Sequence, residues 1–125
     1  MNGDILFFFD KRPRALGLFE LLCEHAMALW PQSAMKVQKT QITFLDPRGY
    51  LFVSLPRSRG GVLMVSFGLS EPLVSPRLFA VANPAPGRYT HHVQIAGPQE
   101  LDGELWEWIA RSHADMAARA ARRRT

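Results

Sequence analysis

The stretch Met35–Leu45, MKVQKTQITFL, decides the predicted fold because polar and apolar side chains alternate along most of it. In an extended chain, successive side chains point to opposite faces. The alternation therefore predicts a single strand with one polar and one apolar face. The polar face is expected to carry Lys39, Gln41 and Thr43, and the apolar face Thr40, Ile42 and Phe44.

Helical periodicity precedes this strand, and four further runs with a period of two follow it. Pro13 suits the first turn of a helix, apolar residues recur at helical spacing after it, and Pro31 ends it. The later strands are predicted at residues 50–55, 62–69, 77–82 and 88–96, separated by turns rich in Pro and Gly. A final helix is predicted to begin near Gln99 or Glu100.

These elements predict an α+β fold. It comprises an N-terminal helix, a five-stranded, mostly antiparallel meander sheet and a C-terminal helix, with both helices on one face of the sheet. A chain of 125 residues is expected to form a single domain over residues 1–125. The core is expected at about residues 8–114, and residues 119–125 form a basic tail.

The composition excludes a disordered chain and a membrane-spanning one. Apolar residues make up 47% and charged residues 21% of the chain, which are values of an ordinary globular protein. The apolar run Ile5–Phe9 is too short to cross a bilayer, and Asp10 follows it directly. We therefore expect a cytoplasmic protein without membrane association. Cys23, the single cysteine, is expected to pack in the interior as a thiol.

Charge is distributed unevenly along the chain, whose formal net charge is +4. The predicted strands are basic and the last helix is acidic until its end. That end, Arg119 and Arg122–Arg124, favours either a solvated helix terminus or a weak electrostatic contact with an acidic partner. Nucleic acid is one such partner, and Tyr50, Phe52 and Tyr89 would supply stacking groups.

The polar face of the sheet is the predicted binding site. Its donors suit an anionic or carbonyl-rich ligand, although one solvated face is also the normal state of an antiparallel sheet. The candidate ligand-binding residues are Lys39, Gln41, Thr43, Arg77, Arg88, Thr90, His92 and Gln94.

Other chemistries have less support in the sequence. His91 and His92 are adjacent in a strand and point to opposite faces, so they cannot chelate one ion, and neither a metal nor another cofactor is predicted. No nucleophile motif with its base and orienting acid is present, so no catalytic residue is proposed. The loop Ser58–Gly61 could hold a phosphate through its amides, but it lacks the spacing of a phosphate-binding loop.

Several separated motifs resemble a known family. They are VQKTQITF, the strand ending LFVSLP, SPRL at Ser75–Leu78, THHV at Thr90–Val93 and the helix ELDGELWEWI. Together they resemble a small bacterial domain family catalogued as a domain of unknown function, relatives of which carry the label of predicted transport protein. The general plan is also similar, distantly, to the YdhG and YjbR types of α+β domain. The resemblance implies a fold and domain limits but no activity.

The leading hypothesis is a non-enzymatic binding module whose polar sheet face receives a small anionic ligand or a segment of a protein partner. The alternative is an accessory protein that binds nucleic acid through the basic strands and the arginine tail. An unrecognised enzyme is the third. Phe7–Phe9 or an exposed sheet edge could also support a homodimer.

Overall fold

The structure, a computed structural model, describes residues 3–57 and 61–124. Its helices are α1 (Gly3–Phe8), α2 (Pro13–Leu29) and α3 (Gly103–Arg124). Its strands are β1 (Ala34–Val37), β2 (Ile42–Leu45), β3 (Gly49–Ser54), β4 (Leu63–Leu69), β5 (Leu78–Ala85) and β6 (Arg88–Ile95). The α+β class is confirmed. Residues 58–60, which make up most of the loop Ser58–Gly61 considered above for phosphate contacts, lie outside the described residues.

The prediction of one strand over Met35–Leu45 is wrong, and the sheet has six strands instead of five. The stretch forms an antiparallel hairpin in which Val37 pairs with Ile42 and Met35 with Phe44. The physical reason is a change of phase, because the apolar residues occupy odd positions in β1 and even positions in β2. A continuous strand would place these two sets on opposite faces, whereas a hairpin with a polar turn places both against the core.

The sheet order is β1-β2-β3-β4-β6-β5, and every neighbouring pair is antiparallel. The predicted meander therefore holds only through β4. The chain then passes over the position next to β4, forms β5 at the edge, and returns as β6 between them. This return places β6 in the interior of the sheet, paired on both sides.

The two faces of the sheet differ in what covers them. The helix face carries the apolar core, with Ile42, Phe44, Leu51, Val53, Val65 and Phe67 buried on it. Ring contacts of Phe19 with Phe44 and of Trp108 with Phe67 place α2 and α3 on this face, as predicted. The opposite face, here called the open face, carries Thr43, Phe52, Ser66 and His92.

The N-terminal region contains two helices where one was predicted. Phe9, which follows α1, is buried against Phe19 of α2, whereas Phe7 is 83% exposed. Pro13 is the first residue of α2, as expected from its fixed φ and missing donor. No described helix is both long and apolar enough to cross a membrane.

Helix α3 begins later and continues further than the sequence predicted. Pro98–Glu100 forms a short 3-10 turn, and the helix starts at Gly103 with the Asp102 carboxylate accepting a hydrogen bond from the Leu105 amide at 3.1 Å. At its other end the helix continues to Arg124, so the predicted basic tail is helical over Arg119–Arg124.

Candidate functional site

The open face of the sheet has a row of four side chains at its centre. Strand register aligns Thr43 of β2 with Phe52, Phe52 with Ser66, and Ser66 with His92 of β6. Thr43 and Ser66 are buried, while Phe52 and His92 are half-buried. The prediction that Thr43 and His92 share the polar face is therefore confirmed.

Ser66 and His92 form a hydrogen-bonded pair on this face. The Ser66 hydroxyl lies 2.7 Å from His92 Nδ1. Burial lowers the pKa of His92, so the imidazole is neutral near pH 7 and has no positive charge to offer an anion. No described carboxylate contacts this pair, so the third member of a nucleophilic triad is missing from the described residues.

A cavity of about 250 Å³ opens at one end of the open face, and we call it the aromatic pocket. Thr90 and Arg88, two of the predicted binding residues, line it together with Phe52 and Tyr89. The remaining lining residues are Gly49, Gly68, Leu69, Pro84, Met116 and Arg119. Ligand sites typically range over roughly 300–1,000 Å³, so the aromatic pocket is smaller than most of them and its volume suits one ring system.

The backbone at Gly49 packs so closely against Thr43 and Phe52 that it leaves no room for a side chain. A Cβ at this position would lie 3.0 Å from Thr43 Cγ2 and 3.1 Å from the Phe52 ring, closer than packed carbon atoms approach. Any larger residue would therefore push Phe52, and with it one wall of the aromatic pocket.

Helix α3 reaches the aromatic pocket by passing the end of the sheet where β3 and β4 separate. Their described pairing ends at Phe52 and Ser66. Beyond it, the buried Ser112 hydroxyl donates to the Tyr50 carbonyl at 2.8 Å and accepts from the Gly68 amide at 3.2 Å. Ser112 thus replaces a missing ladder bond, and the following turns of α3 bring Met116 and Arg119 to the pocket.

Five arginines line a second cavity of about 420 Å³ beside the aromatic pocket, and we call it the arginine cleft. Its residues are Arg48, Arg88, Arg119, Arg122 and Arg123. Arg48 comes from the β2–β3 turn, Arg88 from the start of β6, and the other three from the end of α3. Arg88 and Arg119 line both cavities, so the two cavities are adjacent.

The arginine cleft has no carboxylate among the described residues that line it. Asp115 is one helical turn before Arg119, but its carboxylate accepts from the Ser70 amide at 3.2 Å instead. Arg119 donates to the Gly87 carbonyl at 2.7 Å, which holds its guanidinium against the β5–β6 turn. Arg48, Arg88, Arg119 and Arg123 form no ion pair with a described acidic side chain, so the cleft concentrates positive charge.

Three other predicted binding residues line neither the aromatic pocket nor the arginine cleft, namely Lys39, Gln41 and Gln94. Lys39 is exposed in the β1–β2 turn and faces a groove beside Phe7 and Phe8, so its predicted place on the sheet is wrong. Gln41 donates to the Thr43 hydroxyl at 3.1 Å. Gln94 packs beside Gly61 at the opposite end of β6. Their role in binding stays a prediction.

Arg77 lies on the helix side of the molecule, at the start of α3. Its guanidinium donates to the Asp102 carboxylate at 2.9 and 3.1 Å, to Glu104 at 2.9 Å and to the Glu100 carbonyl at 2.9 Å. It also lies 5.7 Å from the centre of the Trp108 ring. These contacts occupy its donors and attach the chain before β5 to α3, which is a structural role.

The two adjacent histidines point to opposite faces, as predicted. His91 is fully buried on the helix face, stacks on Phe67 and accepts from the Leu73 amide at 2.9 Å through Nε2. Burial lowers its pKa, against the opposing effect of the Phe67 and Tyr89 carbonyls. Among the described residues, no group of three or more His, Cys, Asp or Glu side chains could hold a metal ion.

Sequence reasoning did not connect Arg48, Met116 and the terminal arginines with one site. The helical period contains part of that information, because Ser112, Met116, Arg119 and Arg123 lie at spacings of three and four residues on one helix face. The helical period does not show that Arg48 and Arg88 lie beside this face of α3. That position follows only once the sheet order is known.

The fold and the site define a small α+β domain with a basic pocket at one end of its open sheet face. Residues 7–115 match the family described as a domain of unknown function, DUF5655, and the chain belongs to that family. The resemblance to a small domain family of unknown function is thereby confirmed. No curated protein matches the sequence significantly, and no solved structure does.

Proposed function

We propose that the protein is a binding module that takes a ligand with several phosphate groups at the arginine cleft and the adjoining aromatic pocket. The observation that carries this proposal is the convergence of five arginines from three separate elements on one cavity. Arginine presents a planar set of donors that fits phosphate oxygens in pairs, and it stays charged at every physiological pH.

The amount of charge supports a ligand with more than one phosphate. A phosphate monoester carries roughly −1.5 to −2 charges near pH 7, whereas the arginine cleft presents five positive charges. A single phosphate would contact only part of this cluster, whereas a chain of phosphates extends the contacts to several of the arginines.

The helix dipole alone explains the position of only some of the five arginines. Cationic side chains near the C-terminus of a helix are stabilised by the helix dipole, and this accounts for Arg119, Arg122 and Arg123. It does not account for Arg48 and Arg88, which belong to a turn and a strand. Collecting these two beside the helix end raises the repulsion among like charges, which a ligand would relieve.

The lining residues favour binding over acid–base chemistry. Neither cavity has a carboxylate, a histidine or a cysteine among its described lining residues. General acid–base catalysis needs a titratable group within hydrogen-bond reach of the ligand, and apart from the arginines Tyr89 is the one such side chain among the described lining residues. His92 is two residues from Thr90 in β6, but it bonds Ser66 instead of lining either cavity.

Calorimetric titration with sodium tripolyphosphate tests the proposal. We expect binding at low ionic strength that weakens roughly tenfold or more in the double variant Arg88→Gln/Arg119→Gln, since each loses a charge-assisted contact. The matched control is Arg12→Gln/Arg57→Gln, which removes the same charge from two exposed arginines outside the site. No heat of binding, or an equal loss in both variants, would disprove the proposal.

A further inference from the structure

We infer that the ligand of this site is single-stranded nucleic acid, with one base in the aromatic pocket and successive phosphates along the arginine cleft. The inference rests on the proposed function and adds the chemical class of the ligand. The observation behind it is that the two cavities adjoin and share Arg88 and Arg119.

The aromatic pocket supplies the contact that a bare polyphosphate would not use. Phe52 and Tyr89 line it, and both side chains are partly exposed. Aromatic side chains bind bases by stacking, which is tolerant of sequence because every base has a π face. Met116 and Pro84 add further apolar surface to the same cavity.

The arrangement of the arginines suits a chain of phosphates. Arg119 and Arg123 are four residues apart on α3, so their side chains start roughly 5–6 Å from each other on one helix face. Neighbouring phosphates of one strand can therefore each meet a guanidinium. Arg88, which lines both cavities, is placed to contact the phosphate of the nucleotide whose base enters the pocket.

The shape of the site selects an unpaired strand. In a duplex, both faces of each base are covered by its neighbours, and a recess for one ring system cannot receive the base. In a single strand the bases can turn outwards and stack on protein side chains. We therefore expect the protein to prefer a single strand to a duplex of the same length.

Fluorescence anisotropy with a labelled oligothymidylate of about twelve nucleotides, a length within the range covered by single-strand binding sites, tests the inference. The variant Arg119→Gln/Arg122→Gln/Arg123→Gln is expected to bind about a hundredfold more weakly. Its plot of log affinity against log salt should lose about 2 from its slope, because each single-strand phosphate contact contributes roughly 0.7. The matched control, Lys11→Gln/Arg12→Gln/Arg57→Gln, removes three exposed charges outside both cavities and is expected to change affinity by less than about threefold.

Phe52→Leu and Tyr89→Leu test stacking separately, since leucine keeps an apolar side chain and removes the ring. Each is expected to weaken oligonucleotide binding by about tenfold. Circular dichroism confirms that each variant is folded.

The outcomes separate the inference from the proposed function. Arginine-dependent binding of tripolyphosphate without binding of the oligonucleotide would overturn the inference and leave the proposed function standing. Oligonucleotide binding that is unchanged in both leucine variants, or equal for the single strand and the duplex, would also overturn the inference. If neither ligand binds, both fail.

Discussion

Arginines at the two ends of helix α3 have opposite electrostatic surroundings. At the N-terminal end, Arg77 pairs with Asp102 and Glu104, so these three charges have partners of the opposite sign. At the C-terminal end, Arg119 and Arg123 meet further arginines, Arg48 and Arg88, without a carboxylate among the described lining residues. A neutralised arginine thus lies beside one end of α3, and a concentrated positive charge lies at the other.

This difference separates a structural arginine from a candidate binding one. Arg77 and Arg88 were both predicted as ligand-binding residues because both carry charge near the sheet. Arg77 is held by four hydrogen bonds to neighbouring acids and a carbonyl. Arg88 is exposed, and its side chain has no hydrogen bond or ion pair to a described residue. Satisfied donors stabilise the fold, while unsatisfied ones remain available to a ligand.

The largest expected effect is at Ser112 of α3, whose hydroxyl bonds both β3 and β4 where these two strands separate. Ser112→Ala leaves the Gly68 amide and the Tyr50 carbonyl without their buried partner. We expect a loss of about 1–3 kcal/mol in the free energy of unfolding, measured by urea denaturation. The matched control Ser54→Ala changes a half-exposed serine with no hydrogen bond through its hydroxyl to a described residue, and should stay within about 0.5 kcal/mol. Equal losses in the two variants would contradict the bridging role of Ser112.

A direct comparison of the two ends is the pair Arg77→Gln and Arg88→Gln. Arg77→Gln removes contacts to two carboxylates and the Glu100 carbonyl, and we expect a loss of about 1–2 kcal/mol. The value is kept low because Asp102 and Glu104 are about half exposed and water screens them. Arg88→Gln should leave thermal stability unchanged or raise it slightly. A larger loss in Arg88→Gln than in Arg77→Gln would reverse the comparison.

Acidification should lower the free energy of unfolding through the two histidines of β6, while the arginines keep their charge. Burial lowers the pKa of His91 and His92 in the folded protein, while unfolded histidine titrates near 6.5. Below about pH 6.5 the unfolded chain therefore binds protons that the folded chain does not, so the free energy of unfolding falls as pH decreases. His92→Asn should make the fall between about pH 7 and 5 shallower, as measured by urea denaturation at each pH. An equal slope in the variant and the wild type would exclude His92 as a cause.

The smallest expected effect is relief of repulsion in the arginine cleft. Arg123→Gln removes one of five like charges, and at the exposed end of a helix this is worth roughly 0.2–0.5 kcal/mol, offset in part by the lost helix-dipole interaction. We expect a thermal midpoint equal to or slightly above that of the wild type at low salt. The difference should vanish in high salt, which screens exposed charges. A clear loss of stability at low salt would show that Arg123 has a structural partner.

Most of the fold could be predicted from local pattern. Helix α2 and strands β3, β4 and β6 fall close to their predicted positions because proline and glycine mark their ends and the period of apolar residues is clear. The β1–β2 hairpin was missed because Lys39-Thr40-Gln41 contains neither Gly nor Pro. The change from odd to even apolar positions was the available evidence. The placement of β6 between β4 and β5 depends on pairing across the sheet, which local pattern does not contain.

The candidate site was predictable only in part. Alternation placed Thr43, Thr90 and His92 on one face of the sheet, and the structure confirms this. Alternation could not show that Arg77 would meet the acidic start of α3, since these positions are distant in sequence. Nor could it show that α3 continues past the sheet end, where its last turns meet two hairpin turns. Sites built from distant elements require the topology first.

The most direct test of the central claim is a nuclear magnetic resonance titration of ¹⁵N-labelled protein with sodium tripolyphosphate. The account predicts that amide shifts change together at Arg48, Arg88, Arg119, Arg122 and Arg123, which line the arginine cleft. Changes confined to Lys39 and Arg77, or spread evenly over all exposed cations, would contradict it.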